Sequence, residues 1–329
     1  MSSTTTGIDP AIFETAREGI ARVHQNIRSV ITIDAAKLEY LIAAKIAGGH
    51  VMLADSHGVG KTSLARALAG SIRWSDQDRT SEGVDISNFN RIQCTVDLLP
   101  QDILGFNRFD MNNNSYVFNS GPIFAHFVLC DEINLLTPKT QGSFFQAMEE
   151  QKVSIEGTTY ALPEPFFIIS TMNLRGAHLF PLPAPQLDRF MLQLSMGYPD
   201  EEAEIQIVHR HGTEDSWKGF APVAGVNELI AWQKLVDEVT INEDVVSYIV
   251  RFTRRTRGYP GVVTGCSPRA GIKMSRLARA LALVRGMNYV TIDLVKELLV
   301  PTLAHRLELE DPGQQPADVL RRIEQEVTA

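Results

Sequence analysis

Residues Asp55-Ser56-His57-Gly58-Val59-Gly60-Lys61-Thr62-Ser63 set two glycines, a lysine and hydroxyls between an apolar run and a helical pattern. That combination suits phosphate. The glycines let backbone N–H groups turn inward, and a helix that starts there adds the positive end of its dipole. Lys61 is predicted to reach the β- and γ-phosphates of a nucleotide and Thr62 to place its hydroxyl on Mg²⁺. Asp55 stands where the GxxxxGK[ST] pattern begins with glycine. A carboxylate aimed at phosphates would repel them, so Asp55 is expected to point away.

A second group is acidic. Phe127-Val128-Leu129-Cys130 is an apolar strand pattern that ends in Asp131-Glu132. At the carboxyl end of a central strand the pair would face the phosphate loop across the top of a sheet. Asp131 is predicted to hold Mg²⁺ through water, and Glu132 to orient and polarise an attacking water. The run Phe166–Thr171 leads to Met172-Asn173. An amide there can bond both water and a phosphate oxygen, so Asn173 suits a γ-phosphate sensor.

These residues need a scaffold, and the chain supplies one. Apolar runs at 50–55, 91–95, 127–131, 166–171 and 190–196 alternate with helical patterns, including 62–72 and 140–151. Several runs are apolar on both faces, as in a parallel sheet covered by helices. Ile12, Ala16, Ile20 and Val23, then Leu38, Leu41, Ile42 and Ile46, predict two helices over 8–48, with Gly48 and Gly49 as the stop. The Asn-rich stretch 111–115 reads as a turn. Residues 153–162 alternate around Glu156-Gly157-Thr158 like a hairpin. After Tyr198-Pro199-Asp200 helical periodicity takes over and strands disappear. The expected division is an α/β nucleotide-binding domain over 1–199 and a smaller, all-helical domain over 200–329.

Composition narrows the partners. The 329 residues carry a net charge of -8, which disfavours nucleic acid as the main partner. The run Arg251, Arg254, Arg255, Arg257 is the best candidate for a local basic patch, and is expected at a solvated helix end. Three cysteines without a CxxC suit reduced, buried thiols in a cytoplasmic protein. No apolar run is long enough for a bilayer, and no membrane insertion is expected.

Further stretches give the chain a strong resemblance to the MoxR family of AAA+ ATPases. They are Gly58–Thr62, Asp97-Leu98-Leu99-Pro100-Gln101-Asp102-Ile103, Gly121–Ala125, Cys130–Asn134 with Pro138–Gln141, Ala147–Glu150, Leu162–Phe167, Pro181–Phe190 and Ser267-Pro268-Arg269-Ala270. The resemblance spans most of 30–310. It implies a P-loop AAA+ domain with a helical lid, and homo-oligomeric rings, usually hexamers, with ATP at the subunit interfaces. It makes Arg189 the arginine finger into a neighbour's site and Arg269 the second sensor on the lid. It gives segments 98–120 and 153–162 as insertions that line a pore or touch partners. Such proteins often work with von Willebrand factor A-domain partners as metal-cofactor inserters or remodellers of complexes. The departures are Asp55, His57, Met172 and Leu174 around the motifs, and Ile33 in a loop where glycine is common.

The function expected is Mg-ATP hydrolysis in a ring that remodels or activates a protein client. An ATP-binding ring scaffold with little hydrolysis is the alternative, favoured by Asp55 and opposed by Glu132. A monomeric kinase or GTPase ranks last, because it leaves the Ser-Pro-Arg of the lid unexplained.

Overall fold

The computed structural model describes residues 8–55, 59–75, 78, 80–81, 83–112, 114–172, 179–213 and 217–327. Two helices, α1 (Pro10–Val30) and α2 (Ala35–Ile46), precede β1 (Val51–Ala54) and α3 (Lys61–Gly70). Short strands β2 (Ile72–Arg73), β3 (Thr80–Ser81) and β4 (Val84–Asp85) lead to β5 (Ser87–Gln93) and α4 (Pro100–Leu104). A hairpin of β6 (Gly105–Asp110) and β7 (Ser115–Ser120) returns to β8 (Ala125–Asp131) and α5 (Pro138–Glu150). A second hairpin, β9 (Lys152–Ile155) and β10 (Thr158–Ala161), leads to β11 (Phe167–Met172), α6 (Ala184–Leu187) and β12 (Leu192–Leu194). Helices α7 (Glu201–Thr213), α8 (Val226–Glu238), α9 (Glu243–Thr256), α10 (Pro268–Val284), α11 (Ile292–Leu303) and α12 (Pro316–Glu326) follow. Between them run the short strands β13 (Ala224–Gly225), β14 (Val262–Thr264) and β15 (Glu308–Leu309).

The central sheet is parallel, in the order β12-β1-β11-β8-β5. The inner strands β1, β8 and β11 are largely apolar on both faces because both faces are covered, with side chains dividing at period two, whereas the edge strand β5 carries Ser87, Asn88, Asn90, Arg91 and Gln93. Val51, Leu53, Phe127, Leu129, Phe167 and Ile169 join one core with α1, α2, α3 and the C-terminal helices. Met52, Val128, Cys130 and Ile168 join a second core with Phe144, Phe145 and Met148 of α5. Parallel strands end on one edge. The segments after β1, β8 and β11 therefore leave the sheet side by side, as a site at the carboxyl edge requires.

Local signals account for most boundaries. Asp9 and Asp34 accept from Ala11 N and Lys37 N and start α1 and α2. Gly48 ends α2 with φ +71°. Gly19 lets Trp232 of α8 lie against α1, since a Cβ there would meet Trp232 Cζ2 at 2.6 Å. Ile12, read as part of the buried stripe, is exposed at the open end of α1. The hairpin expected around Glu156-Gly157 is present, with φ +48° and +87° at those residues. Strands do not stop at residue 200: β13 pairs with β2, and β14 with β15. Two or three residues are too few for a period-two pattern to show. Cys94, Cys130 and Cys266 are free and buried, with Cys94 Sγ 3.2 Å from Cys130 Sγ.

Lys45 of α2 is buried in the first core. Its Nζ lies 4.3 Å and 4.9 Å from the ring centroids of Phe127 and Phe167, with no hydrogen-bond partner among the described residues. Burial pulls its amine down to about 7. The unfolded chain therefore keeps a proton that the folded chain gives up between about pH 7 and 10.5. The cost of Lys45 is complete below that window and fades as pH rises through it. Lys45→Met is expected to stabilise the fold by roughly 2–4 kcal/mol at pH 7, net of the lost cation–π contacts. Denaturant midpoints at pH 7 and pH 10 check this, because the gain must shrink at the higher pH. A gain equal at both would mean the amine is not desolvated.

Candidate functional site

The phosphate loop leaves β1 at Asp55 and enters α3 at Lys61. Gly60 caps that helix with φ +82°, a left-handed conformation that costs glycine nothing. The first N–H groups of α3 have no partner within the helix and point at the loop. Lys61 Nζ donates to the Asp55 carbonyl at 3.0 Å. Thr62 and Ser63 share the first turn of α3. Ser56, His57 and Gly58, predicted nucleotide contacts, lie outside the described residues, as does Asn173 beyond β11.

The Asp55 carboxylate turns away from the loop. It accepts from Ser195 Oγ at 2.6 Å, from Met196 N, and from Gly197 N at 3.3 Å. The residue that departs from the glycine pattern thus ties the start of the loop to the end of β12, and puts no charge where phosphate would sit. Beside the loop a cavity of about 600 Å³ is lined by Val59, Gly60 and Ser63, by Ile31 and Ile33 between α1 and α2, and by Tyr198. Thr32, Asp34, Lys37 and Asp200 line it as well, and its apolar part against a helix start suits a purine ring next to its phosphates.

At the end of β8, Asp131 accepts from Thr171 Oγ1 at 2.6 Å and from Arg91 Nη2 and Nε at 2.7 and 3.2 Å. These three bonds leave one of roughly four carboxylate acceptor sites for a metal-bound water. Hard carboxylate and hydroxyl oxygens from Asp131 and Thr62 are the donors Mg²⁺ takes, so the residues present fit that ion. Glu132 follows with φ +60°, rare for a residue with a side chain. Its N–H is held by Thr171 Oγ1 at 2.8 Å. The strained turn swings the chain off the strand into Ile133–Leu135 and separates Glu132 from the Asp131 carboxylate. Arg91 and Thr171 escaped the sequence reading. Arg91 sits in the next strand, where Gln93 registers with Asp131, so pairing the two strand patterns would have found it.

Arg189 and Arg269 come together elsewhere. Arg189 Nη2 is 2.9 Å from one oxygen of Glu149, and Arg269 Nη1 is 3.1 Å from the other. Neither lines the cavity beside the phosphate loop. The reason lies one residue earlier. Asp188 pairs with Arg306 Nε at 2.8 Å and accepts from Ser267 Oγ at 2.9 Å. Its carbonyl accepts from Lys273, and the Phe190 carbonyl accepts from Arg306. Burial pulls the Lys273 amine down to about 8 and lowers the Arg306 guanidinium. Ser267 also caps α10, accepting from Ala270 N. The segment bearing Arg189 and the helix start bearing Arg269 are therefore one clamped unit. Glu149 and Asp188 stand in stretches that carry the family resemblance but had no role assigned, and Arg306 had no signal at all, since their partners lie far off in sequence.

A parallel sheet in this order, with a phosphate loop, an Asp-Glu strand end and a helical lid, defines an AAA+ nucleotide-binding module. Comparisons agree. A model of the ATPase family associated with various cellular activities matches residues 50–192, and one of the AAA lid domain matches 254–326. The chain is 37% identical over 287 residues to the uncharacterized protein YeaC of Bacillus subtilis, covering 86% of each. It is 31% identical over 297 residues to chaperone MoxR1 of Mycobacterium tuberculosis, covering 86% of this chain and 74% of that one. The crystal structure of a protein from Cytophaga hutchinsonii named a putative ATPase superposes with a TM-score of 0.86 at 27% identity over 97% of each chain. The chain belongs to the MoxR family of AAA+ ATPases.

Proposed function

We propose that this chain hydrolyses Mg-ATP in a ring, in its family a hexamer, and uses the cycle to remodel or activate a protein partner in the cytoplasm. The observation that carries the reading is the division of the machinery. Both guanidiniums, of Arg189 and Arg269, sit on Glu149 at the C-terminal end of α5, while Asp131 and Glu132 lie at the carboxyl end of β8, before the opposite end of that 13-residue helix. A site split over two faces is complete only when a second copy supplies the other half.

In that interface Lys61 and the N–H groups at the start of α3 bind the β- and γ-phosphates. Thr62 and Asp131 hold Mg²⁺, which neutralises phosphate charge when bound. Glu132 orients the attacking water and takes its proton. Arg189 and Arg269 of the neighbour stabilise charge on the transferring group, and Asn173 senses the γ-phosphate. Residues 1–199 and 200–329 are the moving bodies. The two hairpins supply the client surface: Phe118 stacks on Tyr160 at 4.0 Å, Asn107 bonds Glu156 at 3.0 Å, and Phe109, Met111 and Tyr116 are exposed. A von Willebrand factor A-domain protein is the partner class the family suggests. Asp55 no longer favours the alternative of a non-hydrolysing scaffold, because its carboxylate points at Ser195–Gly197.

Glu132→Gln tests the chemistry. It keeps the shape and the strained turn but cannot take a proton. Turnover is expected to fall by about 10²–10⁴-fold, with ATP binding and ring mass unchanged. Phosphate release and particle mass on one sample read both. Undiminished turnover would remove Glu132 as the base, and wild-type rings that bind ATP without turnover would revive the scaffold.

A further inference from the structure

A groove of about 530 Å³ runs along the C-terminal helices between α9 and α10. Val250 and Ile272 form its lips and are 46% and 69% exposed. Gly271 keeps its floor open. A Cβ there would meet only Ile249 Cγ2 at 3.7 Å and Thr253 Oγ1 at 4.0 Å, so nothing of the chain's own fills the space.

The groove has a charged polarity. Its two walls run antiparallel: Thr256 Oγ1 receives the N–H of Cys266, just before α10, while Gly271 packs on Ile249. Arg254 and Arg257 therefore stand at the Pro268-Arg269 end, and Arg276 and Arg279 at the other. Arg276 pairs with the Asp237 carboxylate, while among the described residues Arg279 and Arg257 donate only to the backbone carbonyls of Asp237 and Cys266. The Arg254 guanidinium has no hydrogen bond or ion pair to the described residues. Part of the basic run that stood out in the sequence thus lines this groove. An apolar trough with two arginines that have no carboxylate partner among the described residues at one end, Arg254 and Arg257, and one, Arg279, at the other suits an amphipathic helix that is acidic at the more cationic end.

Helix α7 has that pattern. Glu201, Glu204, Ile205 and Val208 follow the i, i+3, i+4, i+7 spacing of one stripe. Ile205 and Val208 are 52% and 68% exposed. The acidic end of α7 directly follows Tyr198, Pro199 and Asp200, which line the nucleotide cavity. The polarity agrees with the split site. The Arg254 end of the groove adjoins Arg269, which the ring reading delivers to a neighbour's nucleotide, and the acidic end of α7 borders that same nucleotide.

We propose that the α9–α10 groove receives helix α7 of the adjacent copy of this chain. Ile205 and Val208 fill the floor over Gly271, and Glu201 and Glu204 face Arg254. The contact rests on the ring reading and adds the surface that aligns Arg269 with its target.

Three variants of the full chain test it. Gly271→Phe fills the groove from a solvent-open position, so the monomer should melt as wild type does while Mg-ATP-dependent rings are lost. Arg254→Glu should raise the protein concentration for half-assembly by about tenfold, and Glu204→Arg in the same chain should restore it. Ile205→Cys with Ile272→Cys, treated with a bismaleimide, should give a ladder of linked subunits only with Mg-ATP, because the native cysteines are buried. If wild-type rings form but these variants assemble unchanged and no ladder appears, the groove is free in the ring and serves a different partner; the proposal fails while the ring reading stands. If the wild type stays monomeric with Mg-ATP, both fail.

Discussion

Arg189→Ala is expected to lower ATP turnover by about 10³-fold or more and to leave nucleotide binding unchanged. The size follows from the role proposed for the side chain. A guanidinium held against the γ-phosphate acts at short range where water is excluded, and alanine offers nothing in return. Binding should survive because, in the proposed ring, the cavity, the start of α3 and Lys61 belong to the other subunit's half of the site. In the isolated chain Arg189 rests on Glu149, with its guanidinium 5.8 Å from the centre of the Phe145 ring. Its side chain is only 26% exposed, so it is held in place rather than free to search. Mixing with the Glu132→Gln chain decides where Arg189 acts. An interface that pairs Glu132 of one variant with Arg189 of the other is intact, so mixed rings should regain activity that neither parent has. No recovery, in rings shown by mass to be mixed, would confine Arg189 to its own subunit.

Much of this site could be read from the chain because its signals are local. The phosphate loop needs a strand before it and a helix after it, and both patterns adjoin Gly58–Thr62. Asp131 and Glu132 follow an apolar run that must be a covered strand, because polar residues are missing from both of its faces. Contacts set by the third dimension were not legible. Arg91 reaches Asp131 across a strand pair, and Arg306 reaches Asp188 over 118 residues. No period or turn signal marks either. Motif matching had set Arg269 apart from Arg189, as a sensor on the lid. Their meeting on Glu149 depends on how α10 docks on the segment before Phe190. Asp55 was legible in direction only: repulsion said it must turn away, but not that Ser195, Met196 and Gly197 would receive it.

Asp188→Ala is expected to cost about 3–5 kcal/mol of stability, the most of any single exchange near the site. Arg306 is the cause. Its side chain is 2% exposed and keeps its charge beside one carboxylate. Removing that carboxylate leaves a buried cation with only carbonyl partners, those of Thr302, Phe190 and residue 188 itself. The Ser267 hydroxyl loses the same acceptor, and with it α10 loses a tether next to Arg269. The double change Asp188→Leu, Arg306→Met separates stability from function. Apolar groups of similar volume often replace a buried pair at little cost, so the denaturation midpoint should return to within about 1 kcal/mol of wild type. Turnover should not return, because nothing then fixes the Arg189 segment to the start of α10. Full recovery of both would reduce the pair to a packing element. A loss below about 1 kcal/mol for Asp188→Ala alone would mean that water reaches Arg306, and that the two arginines are not clamped as one unit.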